Sequence, residues 1–207
     1  MGEAAAAVAD AARILLRIPP MLRATLIACA LAAPALAAEV APVTGFDPAR
    51  YLGRWHEIAS IPAWFQRDCA SDTSATYALT PEGELDVLNA CRTAEGTMKQ
   101  AQGRARFTQT PDVGALEVAF FSILGNWVWP FAGDYVVIAL DPEYRWSAVG
   151  HPSRDYGWIL ARETALDAAT LREIAEHFEA AGYDACTLLM AAEAPGETRR
   201  PLCEAAR

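Results

Sequence analysis

Residues Gly45–Pro62 read GFDPARYLGRWHEIASIP, and the rest of the chain makes sense as something wrapped around them. Asp47 carries an N-cap side chain and Pro48 has the fixed φ suited to a first helical position, so one helical turn is expected before a strand. Gly53 lets the chain leave that turn without a Cβ clash. In the strand Arg54–Ser60, the period of two puts Trp55, Glu57 and Ala59 on one face. A tryptophan this close to a strand's start commonly plugs the end of a barrel or sandwich, although a lone Gly-x-Trp is weak evidence.

Downstream, the chain is a run of short strands. Pro62–Cys69 is a loop with two aromatics, Trp64 and Phe65; Thr73–Leu79 and Leu85–Cys91 then form a hairpin about Pro81-Glu82-Gly83. Ala101–Phe107 alternates cleanly, with Ala101, Gly103, Ala105 and Phe107 on one face and Gln102, Arg104 and Arg106 on the other. Small side chains facing inward leave space in a barrel, where a sandwich core would need Val, Ile and Leu. Ala115–Phe121, Asp134–Leu140, Tyr144–Val149 and Tyr156–Arg162 complete the set. Hairpin spacing with no intervening helix predicts an all-β fold, an eight-stranded up-and-down antiparallel β-barrel. Leu171, Ile174, Ala175 and Phe178 then form a helical stripe opened by Asp167 or Thr170, giving one C-terminal α-helix packed outside the barrel. Thr187–Met190 reads as a last short strand.

The chain has 207 residues, enough for one domain with a full core. Its formal charge of −9 and unclustered Lys and Arg exclude a nucleic-acid partner. Residues 1–38 read as a leader: Met21-Leu22-Arg23, an apolar run from Thr25 to Ala33 and a small-x-small site at Ala35-Leu36-Ala37 make a secretory signal peptide. Translation is inferred to begin at Met21, because Met1–Pro20 fits no signal region. Leu26-Ile27-Ala28-Cys29 has the look of a lipoprotein box, but the apolar segment between Met21 and Cys29 is short, so loss of Cys29 with the signal peptide is the primary reading. The folded domain is placed at 39–194, followed by a polar C-terminal tail at 195–207.

Export changes the meaning of the cysteines. Cys69, Cys91, Cys186 and Cys203 contain no C-x-x-C pair, and an even number in an oxidising compartment favours disulfides over zinc. Cys69–Cys91 would bracket two consecutive strands and Cys186–Cys203 would tie down the tail; Cys69–Cys203 with Cys91–Cys186 is the competing arrangement.

Three separated signatures now carry a resemblance: Gly53-x-Trp55 in the first strand, Gly133-Asp134-Tyr135 entering the sixth, and Arg162 ending the eighth. From about Phe46 to Met190 the chain resembles the lipocalin family, in particular bacterial outer-membrane lipocalins and apolipoprotein D. Gly133 departs from the family's usual Thr-Asp-Tyr. The Cys69–Cys203 alternative would be the apolipoprotein D-like arrangement. The resemblance implies a carrier of fatty acids, lysophospholipids or similar lipids in the periplasm, at or near the outer membrane. Gly53, Trp55, Asp134, Tyr135 and Arg162 would be structural, with the Arg162 guanidinium lying over the Trp55 indole.

No catalytic motif is present, and His56, His151 and His177 are too scattered to suggest a metal or haem site, so no catalytic residue, metal or cofactor is assigned. Glu57 on an inner face could serve as a base; a hydrogen-bonded structural carboxylate is the commoner case. The alternative function is therefore an enzyme acting on a lipid ester inside the barrel. Inner-face alternation assigns ligand contact to Tyr77, Phe107, Val118, Phe120, Tyr135, Trp146, Tyr156 and Trp158, with Leu79, Val87 and Val137 beside them. Loops after odd-numbered strands share one rim, which gathers Trp64 and Phe65 with Ile123, Leu124, Trp127, Trp129 and Phe131. Such an apolar rim would close over the cavity or rest on a membrane or a second copy in a homodimer.

Overall fold

The computed structural model describes residues 39–192, 194 and 196–207, so the leader and Cys29 lie outside the described residues. Asp47 Oδ1 accepts the Ala49 N–H at 2.9 Å and caps α1 (Pro48–Tyr51), and Gly53, at φ +90°, turns the chain into β1 (Gly53–Ser60). The long strands are β2 (Ser71–Leu79), β3 (Leu85–Arg92), β4 (Met98–Phe107) and β5 (Ala115–Ala119). A short hairpin of β6 (Ser122–Ile123) and β7 (Asn126–Trp127) intervenes before β8 (Gly133–Leu140), β9 (Trp146–Gly150) and β10 (Gly157–Ala161). Each long strand pairs antiparallel with the next, and β10 returns to β1, which closes an eight-stranded barrel. After α2 (Ala168–Ala180) comes β11 (Leu189–Met190), paired with β1 at Ala59 and Ser60 outside the closed barrel.

Two bulges decide which side chains face inward. The register of β1 shifts between Glu57 and Ala59, so Ile58 and Ala59 both pack outside while Trp55 stays within. This corrects the expected Trp55, Glu57, Ala59 face: one extra residue reverses the alternation beyond it. A similar shift between Val137 and Ala139 keeps Val137 inside and sends Ala139 out.

The core is consequently double. Inside the barrel, Phe46, Tyr51, Trp55, Leu85, Leu116 and Val137 fill the end nearest α1. Outside, Leu171, Ile174, Ala175 and Phe178 of α2 pack on Trp146, Ala148, Ile159 and Ala161. Trp146, expected in the ligand cavity, belongs to this outer core and lies against His177, with ring centroids 6.0 Å apart. The inward residues of β9 are Ser147 and Val149; every residue of the strand is buried, so no polar alternation marks its two sides.

Among the described residues, Cys69–Cys91 and Cys186–Cys203 are disulfide-bonded. The second holds α3 (Leu202–Ala205), whose Leu202 is fully buried and donates its N–H to Leu188 at 2.8 Å. The segment read as a polar tail thus ends in an apolar anchor within the outer core.

At the end opposite α1, residues 61–70, 93–97, 120–132 and 151–156 form the mouth, as the up-and-down topology requires. The 61–70 segment is tied to β3 by Cys69–Cys91 and to β4 by the Lys99–Asp68 pair at 2.6 Å. Opposite it the wall is lower. β4 pairs with β3 from Met98 to Ala105 but meets β5 only from Arg104 to Phe107, because β5 stops at Ala119.

Candidate functional site

The floor of the barrel is sealed by Arg162. Its guanidinium carbon lies 3.8 Å from the Trp55 ring centroid, Nη1 donates to the Arg54 carbonyl at 2.9 Å, and Nη2 donates to the Arg50 and Leu52 carbonyls at 2.8 and 2.9 Å. The Arg50 and Leu52 carbonyls are left open where α1 ends, and that of Arg54 lies in β1 beyond its pairing with β10. Burial lowers the Arg162 pKa from the usual arginine range. Trp55 Nε1 donates to the Tyr51 carbonyl at 2.8 Å, which holds the indole against the end of α1.

Above it lies a chain of hydroxyls: Tyr77 to Tyr135 at 2.9 Å, Tyr135 to Tyr51 at 2.8 Å, and Tyr51 to Ser147 at 3.0 Å. Burial pushes Tyr51 up to about 12 and raises Tyr77 and Tyr135 as well, so all three remain neutral phenols. Tyr77 and Tyr135 were expected here; Tyr51 and Ser147 were not. Tyr51 was legible only as part of a helical turn, and Ser147 was hidden by the face assigned to its neighbour Trp146.

Phe107 sits low, 6.2 Å from Phe46 between ring centroids, and Val118 packs on the inner core. Phe120 lies one residue past β5, half exposed, with its ring across Gly103. A Cβ on Gly103 would come within 2.8 Å of two carbons of that ring and of the Ala119 carbonyl, so Phe120 occupies part of the space left by the small residues of β4. Leu79 is exposed at the far end, beyond the cavity.

At the mouth, Tyr156 and Trp158 stack with centroids 6.1 Å apart and planes within 5°, and Phe65 stacks on Tyr156 at 5.8 Å. Trp158 Nε1 donates to Gln66 Oε1 at 3.2 Å, and Gln66 Nε2 donates to Glu57 at 2.7 Å. The 61–70 segment therefore supplies an aromatic wall through Phe65 and a polar bridge through Gln66.

The outer rim differs from expectation. Trp127 and Trp129 fold back on the outer wall: the Arg104 guanidinium lies 5.8 Å from the Trp127 ring centroid and that of Arg106 4.0 Å from Trp129. Arg104 is itself held by Glu84 and Asp86, and Arg106 by Glu117. The pattern of outward arginines on β4 was visible in the sequence, but not that the loop would reach them. Trp64 and Phe131 stay open, at 73% and 76% exposure, as do Phe121, Ile123 and Leu124, the last at the hairpin tip and 97% exposed.

Asp134 lies 3.9 Å from His151 Nε2, and His151 Nδ1 faces the Ser153 hydroxyl at 2.9 Å. The Ser153 backbone N–H also donates to that Nδ1, at 3.1 Å, which is the geometry of a closed turn. Among the described residues, no three His, Cys, Asp or Glu side chains converge on a possible metal position.

The described residues thus form a closed antiparallel barrel with its floor covered by Arg162, an aromatic mouth and an external helix. The chain belongs to the lipocalin family: the profile described as a lipocalin-like domain matches residues 46–193. It is 40% identical over 146 residues to the outer membrane lipoprotein Blc of Escherichia coli (strain K12), covering 70% of this chain and 78% of that protein. Temperature-induced lipocalin-1 of Arabidopsis thaliana is 37% identical over 147 residues, again 70% and 78% of the two chains. Apolipoprotein D of Mus musculus is 34% identical over 143 residues, 67% and 72% of the two. Among solved structures, insecticyanin from the tobacco hornworm Manduca sexta superposes with a TM-score of 0.60 over 77% of this chain and 87% of its own, at 20% identity.

Proposed function

We propose that the protein binds and carries a single lipid, a fatty acid, lysophospholipid or similar amphiphile, in the bacterial envelope, without chemically altering it. The aromatic slot of Phe65, Tyr156 and Trp158 above the sealed floor carries this reading. It offers flat apolar walls to a hydrocarbon chain entering from the mouth. Tyr77, Tyr135, Val118 and Phe120 line the path below it. The name of the Escherichia coli relative supports a place at the outer membrane, and the leader read in the sequence supports the periplasmic side. Native mass spectrometry of protein isolated from the periplasm should show one intact lipid bound. An empty barrel that hydrolyses added lipid esters would instead establish the enzymatic alternative.

The exposed apolar residues at the mouth carry the delivery half of the proposal. Leu124 stands at φ +51°, a conformation costly for a branched side chain, and the hairpin holds it outward beside Ile123. Such a tip is suited to enter the interfacial region of a bilayer. Replacing Ile123 and Leu124 by Ser should lower liposome association several-fold while leaving lipid affinity intact. Replacing Trp127 and Trp129, which are folded onto arginines, should change association less. A loss of self-association in place of liposome binding would reassign the tip to a homodimer contact.

A further inference from the structure

Two strands on opposite sides of the barrel are joined through its lumen. In the closed ring of eight, β2 and β8 stand four positions apart and so are diametrically opposed, and the 2.9 Å bond between the Tyr77 and Tyr135 hydroxyls crosses from one to the other. The two rings meet edge to face with centroids 6.3 Å apart. Tyr51, at the end of α1, bonds Tyr135 on one side and Ser147 of β9 on the other. Tyr51 and Ser147 are 1% and 0% exposed, whereas Tyr135 stays partly exposed, as do Phe107 and Val118. The lumen is therefore accessible down to this bar of hydroxyls and filled beneath it.

The bar is not saturated. Its four hydroxyls carry four hydrogens and make three bonds to one another, so one hydrogen has no acceptor within the chain. Each O–H rotates, so the bonds can run in either direction and the spare hydrogen can be passed to Tyr135, where the lumen reaches it. The oxygens at the ends of the bar keep lone-pair capacity as well. An anion does not suit this place. Burial raises all three phenols, which stay neutral, and Arg162 beneath them spends its guanidinium on three backbone carbonyls and the Trp55 ring. A methyl group pressed against the bar would leave the spare hydrogen unmet, which is costly for any buried donor.

We propose that the hydroxyl bar is a binding subsite for the far end of the cargo, and that the preferred lipid carries an uncharged oxygen there, a hydroxyl or carbonyl at the end of its chain opposite the carboxyl group. The inference rests on the lipid-carrier reading and deepens it. A terminal hydroxyl accepts the spare hydrogen and returns its own to an oxygen of the bar, so both partners are satisfied. The chain between lies along Val118, Phe120 and the aromatic slot. Recognition of this kind reads the tail of the lipid and is independent of the group at its head.

The test compares palmitate, ω-hydroxypalmitate and hexadecanedioate, each titrated calorimetrically into the folded protein below its micellar concentration. The wild type should bind the hydroxy acid about tenfold more tightly than palmitate, and the dicarboxylate more weakly than either. The double variant Tyr77→Phe, Tyr135→Phe keeps the shape of the bar and makes both partners apolar, a change that is nearly neutral for folding. In it the hydroxy acid and palmitate should bind within about twofold of each other, whichever way palmitate itself moves. The wild-type titrations alone decide the matter if that variant misfolds. Equal wild-type affinities for palmitate and the hydroxy acid, a preference that survives in the double variant, or a dicarboxylate bound as tightly as the hydroxy acid would each overturn the subsite and leave the carrier reading intact. If neither palmitate nor the hydroxy acid binds, the carrier reading fails and the subsite with it.

Discussion

Replacing Trp146 by Ala is expected to destabilise the protein by about 3–5 kcal/mol, the range for truncating a large buried aromatic, while leaving lipid affinity at the wild-type level. For a domain of this size that is roughly a 10 °C fall in melting temperature. The residue is 4% exposed and wedged between β9 and α2, with the barrel wall between it and the cavity. Thermal denaturation and lipid titration on the same preparation separate the two effects. A variant that melts normally but loses lipid would return Trp146 to the cavity and overturn the outer-core placement.

The second large effect belongs to Arg162. Arg162→Ala removes three bonds to backbone carbonyls and the cover over the Trp55 ring, and should cost about 1.5–3 kcal/mol. Lysine at this position should recover only part of the loss, because one ammonium cannot span the Arg50, Leu52 and Arg54 carbonyls and lie flat on the indole together. Chemical denaturation of both variants measures this. Equal stability of wild type and Arg162→Ala would mean that water replaces the guanidinium at no cost and that the floor is not sealed by it.

The contrast between these two residues shows what the sequence made legible. Arg162 and Trp55 were readable because each stands at a strand end beside a distinctive neighbour, and the barrel's closure dictates where strand ends meet. Strand order and the position of α2 were readable for a similar reason: turns and a helical stripe punctuate the chain. Facing was harder. Alternation predicts it only where one side is polar, as along Ala101–Phe107, whose inward Ala105 and Phe107 and outward Arg104 and Arg106 lie as expected. In β9 both sides are apolar, and in β1 and β8 a bulge changes the parity partway along. Arg199 was harder still, because its partners at Ser60 and Glu57 are about 140 residues earlier in the chain. Nothing local marks a polar residue in the C-terminal segment as reaching the end of β1.

The early end of β5 has a consequence for the protein before and after it folds. From Met98 to Gly103, β4 has a strand partner on one side only, so its other edge presents backbone donors and acceptors that a strand from another molecule could extend. The residues along that edge resist this. Lys99 is paired with Asp68 of the mouth segment, Gln100 and Gln102 are exposed and polar, and Gly103 has weak strand propensity. The gap in the wall is thus guarded against fibre-like growth by the same Lys99–Asp68 contact that holds the mouth segment in place, which couples solubility of the chain to the shape of its opening.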